Sequence, residues 1–387
     1  MWPRGFLSRL LLRATAGATD RHACARIHPL LLKSGHASDT RLATALADAY
    51  AKSGLVAHAR RVFDETPHRD LVLWSVMISC YSSHGMLSHS WALFASMRRS
   101  AGLSGDGFTF SALLSARAPP SSCGHHPGLL AHGLVVRLGL HVDLVVATAL
   151  LDMYAKCGRV ADARRVFDAM LLRNSVSWNA IIVCYGQHGG GKEALQLFVS
   201  MLRNDDGCCC RADELTLASL LSSCANMAAA YEATQLHGYA LKRGLQGYLQ
   251  VANALIMAYG KNGFLLQARQ TFAAIPNPDI VSWSSMVSSF AYLGCAKSAI
   301  HVFDRMLHQG VRPDGIAFLG VLSACSHAGL IQDGLKYFLV MAKDYQIDPC
   351  PQHLACLVDL LGRAGRVQDA YNVLLNMSCQ TNTCLFG

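Results

Sequence analysis

The sequence predicts an all-α solenoid of about eleven helix-turn-helix repeats. Paired stretches with helical apolar spacing, a long period shared by four residue types, and a shorter glycine period inside it carry that expectation. Within 176–201, Trp178, Ile181, Ile182 and Tyr185 stand at i, i+3, i+4 and i+7. After the break at Gly189, Gly190 and Gly191, Ala194, Leu197, Phe198 and Met201 repeat that spacing. A lone helix pair cannot bury its apolar face, so it needs neighbours of the same shape.

Those neighbours are present. Trp74, Trp178 and Trp283 are 104 and 105 residues apart, and so are Met97, Met201 and Met306, His28, His132 and His237, and Phe63, Phe167 and Phe272. Gly54 and Gly85, Gly158 and Gly189, and Gly263 and Gly294 are each 31 residues apart. The hierarchy is three helix pairs, of about 35, 35 and 31 residues, repeated along the chain. The expected repeats are 20–39, 40–70, 71–106, 107–143, 144–174, 175–213, 214–248, 249–279, 280–314, 315–350 and 351–381. APPSSCGHHPG, with its prolines and glycines, is expected as a loop, and NDDGCCC as an exposed insertion after the helix that ends near Met201.

Composition suits stacked pairs: 52% of the 387 residues are hydrophobic and only 15% charged, as expected where inner helices are sandwiched between neighbours. A net charge of +9 is compatible with a polyanionic partner. Cys80, Cys184, Cys224 and Cys325 fall inside helical patterns, where cysteine acts as a small apolar residue, which points to a reducing compartment. The run Cys208, Cys209, Cys210 has no partner cluster to close a tetrahedral site, so no metal is expected there. No uncharged apolar run reaches about 18 residues, so no membrane span is expected. Arg4, Arg9 and Arg13 precede the first acid, Asp20, which gives 1–19 the composition of an organellar transit peptide; alternatively Leu7 to Ala14 open the first repeat.

SVSWNAIIVCYGQHG, LVVATALLDMYAKCGRVADARRVFDAM and HQGVRPDGIAFLGVLSACSHAGL resemble the P, L and S motifs of plant pentatricopeptide repeat proteins of the PLS subfamily, in wording and in the alternation of lengths. The resemblance covers nearly the whole chain. It implies a right-handed superhelix, a monomer that binds single-stranded RNA in the mitochondrion or, alternatively, the chloroplast, and a part in C-to-U editing. No cofactor is implied. The closing TCLFG, within 382–387, looks like the start of that family's E region, which makes the expected chain truncated there and without a DYW-type deaminase domain.

In the family, the fifth residue of a motif and its last residue read one base between them. The resemblance therefore implies Thr44 with Asp70 for G, Ser75 with Asp106 for G, Thr148 with Asn174 for A, Asn179 with Asp213 for U, Asn253 with Asp279 for U, and Ser284 with Asp314 for G. The L motifs place Ser111 with Asp143, Ala218 with Tyr248 and Leu319 with Cys350, of which only the first could hydrogen-bond in the expected way. The implied target is 5′-G-G-n-A-U-n-U-G-3′. Chemistry explains the last position: guanine and uracil carry a ring N–H that suits a carboxylate, whereas adenine and cytosine offer a ring acceptor that suits the NH2 of Asn.

Other roles compete at the same residues. An Asp before a helix is also an N-cap, worth about 1 kcal/mol. The three tryptophans could stack on bases, but their companions are apolar, which favours the core. His28, His132 and His237 are too far apart along the chain to share an ion. No His-x-Glu accompanies a Cys-x-x-Cys, the nearest approach being PCPQHLAC with Cys350 and Cys356, so no deaminase chemistry is expected and a deaminase with its accessory proteins would act in trans. A tetratricopeptide-type scaffold is the alternative architecture, disfavoured by the alternating lengths, and a nonfunctional truncated relative is a third.

Overall fold

The computed structural model describes residues 28–30, 33, 39–115, 127–203 and 210–373. The proposed leader 1–19, the APPSSCGHHPG segment from residue 118 to 126, residues 204–209 with Cys208 and Cys209, and the tail 382–387 lie outside them. Among the described residues there is no strand. The chain divides into two compact units, 1–184 and 185–387.

In the first unit, α1 (Thr40–Lys52) and α2 (Val56–Glu65), α3 (Leu71–Ser83) and α4 (Leu87–Ser100), α5 (Gly107–Leu114) and α6 (Pro127–Arg137), and α7 (Leu144–Lys156) and α8 (Val160–Ala169) form successive hairpins, followed by the start of α9 (Ser175–Gln187). The first helices pack in a row, α1 on α3, α3 on α5 and α5 on α7, and each second helix also touches the first helix of the next pair. In the second unit, α10 (Gly191–Arg203) leads to α11 (Glu214–Met227) and α12 (Ala230–Arg243), α13 (Leu249–Lys261) and α14 (Leu265–Ala273), α15 (Ile280–Tyr292) and α16 (Ala296–His308), α17 (Gly315–Ala328) and α18 (Ile331–Lys343), and α19 (Pro351–Arg363). Here too the odd-numbered helices from α11 to α19 form a continuous row. This is an α-solenoid arrangement in each unit.

Short-range chemistry sets the hairpins. Seven first helices start behind an Asp whose side chain accepts an N–H of the first turn: Asp39, Asp70, Asp106, Asp143, Asp213, Asp279 and Asp314. They satisfy donors that the helix leaves without partners. The six glycines in 31-residue pairs all take left-handed φ, from 68° to 84°, a conformation that costs glycine little. At Gly54 the chain then folds back, with Leu55 N–H donating to Tyr50 O at 2.9 Å, which closes the helix and turns it into its partner.

The long period is reproduced as repeated packing. Phe63 with Trp74, Phe167 with Trp178 and Phe272 with Trp283 meet edge to face, each pair at 4.8 Å between ring centres. Arg69 lies over the Phe63 ring at 4.7 Å and donates to Phe63 O and Asp64 O; Arg173 does the same with Phe167 and Asp168. The guanidinium thereby satisfies the carbonyls that end the second helix. Close approach in the second unit depends on a missing side chain: a Cβ on Gly260 would lie 2.0 Å from Ser289 Oγ and 2.4 Å from its Cβ, so α13 meets α15 there through glycine.

The three histidines serve packing. His28, His132 and His237 each bond through Nδ1 to the hydroxyl of the tyrosine 22 residues on, Tyr50, Tyr154 and Tyr259, at 3.2, 2.7 and 2.7 Å. Burial pushes His132 and His237 below the ordinary 6.5; at His132 Asp162 pulls the other way and is outweighed. In the unfolded chain these rings protonate first as pH falls, so their contribution to stability is present above about pH 6.5 and is lost as pH drops through the folded values. A lower urea midpoint is expected at about pH 5 than at about pH 7.5, with the difference reduced in the His132→Gln, His237→Gln double variant. An unchanged difference would remove these rings as the cause.

Candidate nucleic-acid interface

The rows of first helices bring the fifth residue of one repeat close to its last residue, because that last residue is the N-cap of the next helix in the row. Two pairs make this contact directly. Asn253 Nδ2 donates to Asp279 Oδ1 at 3.3 Å, and Ser284 Oγ lies 3.5 Å from Asp314 Oδ1. In the first unit, Ser75 reaches Asp106 through Thr109: Ser75 Oγ and Thr109 Oγ1 are 2.6 Å apart, and Thr109 Oγ1 donates to Asp106 Oδ1 at 2.7 Å.

All six terminal residues are caps. The Oδ1 atoms of Asp70, Asp106, Asn174, Asp213, Asp279 and Asp314 accept from the N–H of Leu73, Thr109, Ser177, Thr216, Ser282 and Ala317 at 2.8 to 2.9 Å. Capping and reading are compatible, since a carboxylate has two oxygens and the cap uses one. Oδ2 of Asp70, Asp106, Asp213 and Asp314 has no protein donor among the described residues. Burial pushes Asp279 up, but donors on Ser282 and Asn253 outweigh it, so the carboxyl titrates below its usual range and stays an acceptor.

The fifth residues are more enclosed than a freely accessible reading position would be. Ser75, Asn253 and Ser284 are 2%, 7% and 4% exposed, while Thr44, Thr148 and Asn179 are half-buried. Thr44, Thr148 and Ser284 also donate to the carbonyl four residues back, at 2.7 Å, and Leu71 O lies 2.8 Å from Ser75 Oγ as an alternative acceptor to Thr109. Asn179 belongs to the first unit and Asp213 to the second. In the L repeats, Tyr248 caps nothing with its side chain and is about half exposed, and Cys350 bonds His353 Nδ1 at 2.9 Å. The tryptophans are core: Trp74, Trp178 and Trp283 are 4% exposed or less.

One feature of this face escaped the sequence reading. The second residue of seven first helices is a solvent-facing apolar side chain: Val72, Phe108, Val145, Val176, Leu215, Val281 and Ile316, 49 to 64% exposed. A signal existed, since an apolar residue recurs off the buried stripe directly after these seven helix starts, although Arg41, Gln250 and Gln352 take that place in three others. In the second unit Val281 and Ile316 flank a cleft of about 420 Å3 whose lining includes Ser284, Asp314, Tyr292 and Lys261. A cleft lined by apolar side chains together with a hydroxyl and a carboxylate has the groups needed to hold a planar heterocycle and test its hydrogen-bonding edge. Among the described residues no group of side chains could hold a metal ion, and no helix is long and apolar enough to cross a membrane.

The fold and this face define a helical-repeat protein whose equivalent side chains recur along a row of first helices in each unit. Six stretches, 43–70, 72–100, 145–175, 176–205, 251–275 and 281–311, match the PPR repeat family. A mitochondrial pentatricopeptide repeat-containing protein of Arabidopsis thaliana is 42% identical over 374 residues, covering 96% of this chain and 62% of its own length. The chloroplastic Arabidopsis thaliana protein CRR2, of the same description, is 36% identical, covering 94% and 55%. The crystal structure of the pentatricopeptide repeat protein PPR10 from maize aligns with a TM-score of 0.61 at 16% identity, covering 96% of this chain and 58% of that one. The chain carries the PPR repeat at these six stretches, and it spans about three fifths of the length of these relatives.

Proposed function

We propose that the chain is a sequence-specific single-stranded RNA binder of the PLS subfamily, working in a plant organelle, mitochondrion or chloroplast. Its part is recognition, with a deaminase recruited in trans for C-to-U editing, or another catalytic partner for transcript processing. The observation that carries this reading is the meeting of the fifth and terminal residues of one repeat, as in Asn253 with Asp279 and in Ser284 with Asp314, the latter pair lining a cleft. Repetition of that arrangement along a row of helices suits a ligand that repeats, one base per repeat.

Thr44 with Asp70, Ser75 with Asp106, Thr148 with Asn174, Asn179 with Asp213, Asn253 with Asp279 and Ser284 with Asp314 read 5′-G-G-n-A-U-n-U-G-3′ in this proposal. Because Ser75, Asn253 and Ser284 are nearly enclosed, a base reaches them by displacing some of their intramolecular bonds. Binding then selects a slightly opened row of first helices. The test is an electrophoretic shift with that RNA and its reversed sequence, at two salt concentrations. Preference for the forward RNA, and affinity falling steeply with salt, is the expected result. Equal binding of both sequences would discard the base assignments, and indifference to salt and to competitor RNA would point to a protein scaffold.

A further inference from the structure

We propose that the side-chain hydroxyl at the third place of the following first helix, Thr109 and Ser282, is a positioning group that joins the two base-reading residues of the preceding repeat and sharpens their selectivity. This rests on the reading given under Proposed function.

The same three-residue arrangement is seen among the described residues of both units. Thr109 Oγ1 lies 2.6 Å from Ser75 Oγ and donates to Asp106 Oδ1 at 2.7 Å. Ser282 Oγ lies 2.7 Å from Asn253 Oδ1 and 2.8 Å from Asp279 Oδ1, while Asn253 Nδ2 completes the ring to Asp279 at 3.3 Å. Both hydroxyls are fully buried, at 0% exposure, so their bonds do not compete with water.

Donor and acceptor rules orient the set. An ionised carboxylate only accepts, so the Thr109 proton goes to Asp106, and Thr109 accepts the single Ser75 proton, which in this arrangement is turned away from Leu71 O, its alternative acceptor at 2.8 Å. The relay runs Ser75 to Thr109 to Asp106, and Asp106 Oδ2 remains for a ring N–H. At the second site Asn253 Oδ1 and Asp279 Oδ1 are both acceptors, so the single Ser282 proton is shared between them. Reversing the Asn253 amide would set oxygen against carboxylate; its NH2 is therefore held toward Asp279. In each case one hydroxyl selects the conformation of both readers before a base arrives, which lowers the ordering cost on binding. By contrast, Ala317 occupies this place after Asp314, and there Ser284 and Asp314 touch only at 3.5 Å.

The test measures ratios of dissociation constants for RNAs that differ at one base. For the register of Ser75 with Asp106 the ratio is G against A, in the wild type, Thr109→Val, Thr109→Ser and Asp106→Asn. For Asn253 with Asp279 it is U against C, in the wild type, Ser282→Ala, Ser282→Thr and Asp279→Asn. Thr109→Val and Ser282→Ala are each expected to shrink the ratio at their own register about fivefold, the worth of one hydrogen bond, and to leave the other register unchanged. Thr109→Ser and Ser282→Thr, which restore the hydroxyl, are expected to keep wild-type ratios. Ratios untouched by Thr109→Val and Ser282→Ala, where the Asp→Asn variants do change them, overturn this proposal alone. Ratios untouched by the Asp→Asn variants as well overturn the base-reading scheme and this proposal with it. The two sites lie in different units, so an unfolded variant at one, detected by its melting curve, leaves the other decisive.

Discussion

Asp279→Asn is expected to invert the base preference at its register, from uracil over cytosine to cytosine over uracil. Asn253, which suits a pyrimidine, is unchanged, so both candidates still fit. What changes is the group offered to the ring nitrogen at position 3: uracil carries N–H there and needs an acceptor, whereas cytosine presents a lone pair and needs a donor. A well-placed base contact discriminates by about 1–3 kcal/mol, so each ratio should move by about tenfold or more, read by titrating two RNAs that differ at one base. The fold supplies its own control. Asn174 caps α9 as Asp279 caps α15, with Oδ1 on the third N–H at 2.9 and 2.8 Å, so the melting temperature should stay close to the wild type. An intact protein with unaltered preference would remove Asp279 from the reading set.

Trp283→Ala is expected to lower stability by about 3–5 kcal/mol, the range for deleting a buried aromatic side chain. Trp283 is 1% exposed and meets Phe272 edge to face, and its indole N–H has no hydrogen-bond partner among the described residues. Trp283→Phe should therefore keep most of that stability, since it sacrifices volume but no polar contact. Urea midpoints for the two variants decide the matter. A tryptophan that stacked on bases would behave oppositely: Ala would spare the midpoint and abolish RNA binding.

The fold was readable because its elements repeat. A helix pair carrying Trp178 and Met201 is ambiguous alone, but copies 104 and 105 residues away with the same aromatic partner leave little choice of architecture. The terminal acids were readable as caps from local chemistry, because an Asp directly before an apolar-periodic stretch marks a helix start. Two things were not. Enclosure of Ser75, Asn253 and Ser284 depends on how closely neighbouring first helices approach, which Gly260 against Ser289 permits and which no local pattern states. The links from Thr109 to Ser75 and from Ser282 to Asn253 join residues 34 and 29 positions apart, across two helices. A Thr or Ser three places after an Asp reads locally as part of a cap, and its second partner emerges only from the stacked row.

In the proposed scheme the reading residue is also a helix cap, which restricts how such an array can acquire new targets over evolutionary time. Exchange between Asp and Asn is structurally neutral, so a lineage can drift from one half of the base alphabet to the other without first securing spare stability. Aliphatic replacements at Asp70, Asp106 or Asp314 would remove the proposed reader together with a helix cap worth about 1 kcal/mol. The small vocabulary of these positions is thus as much an inheritance from the hairpin as a demand of the nucleic acid.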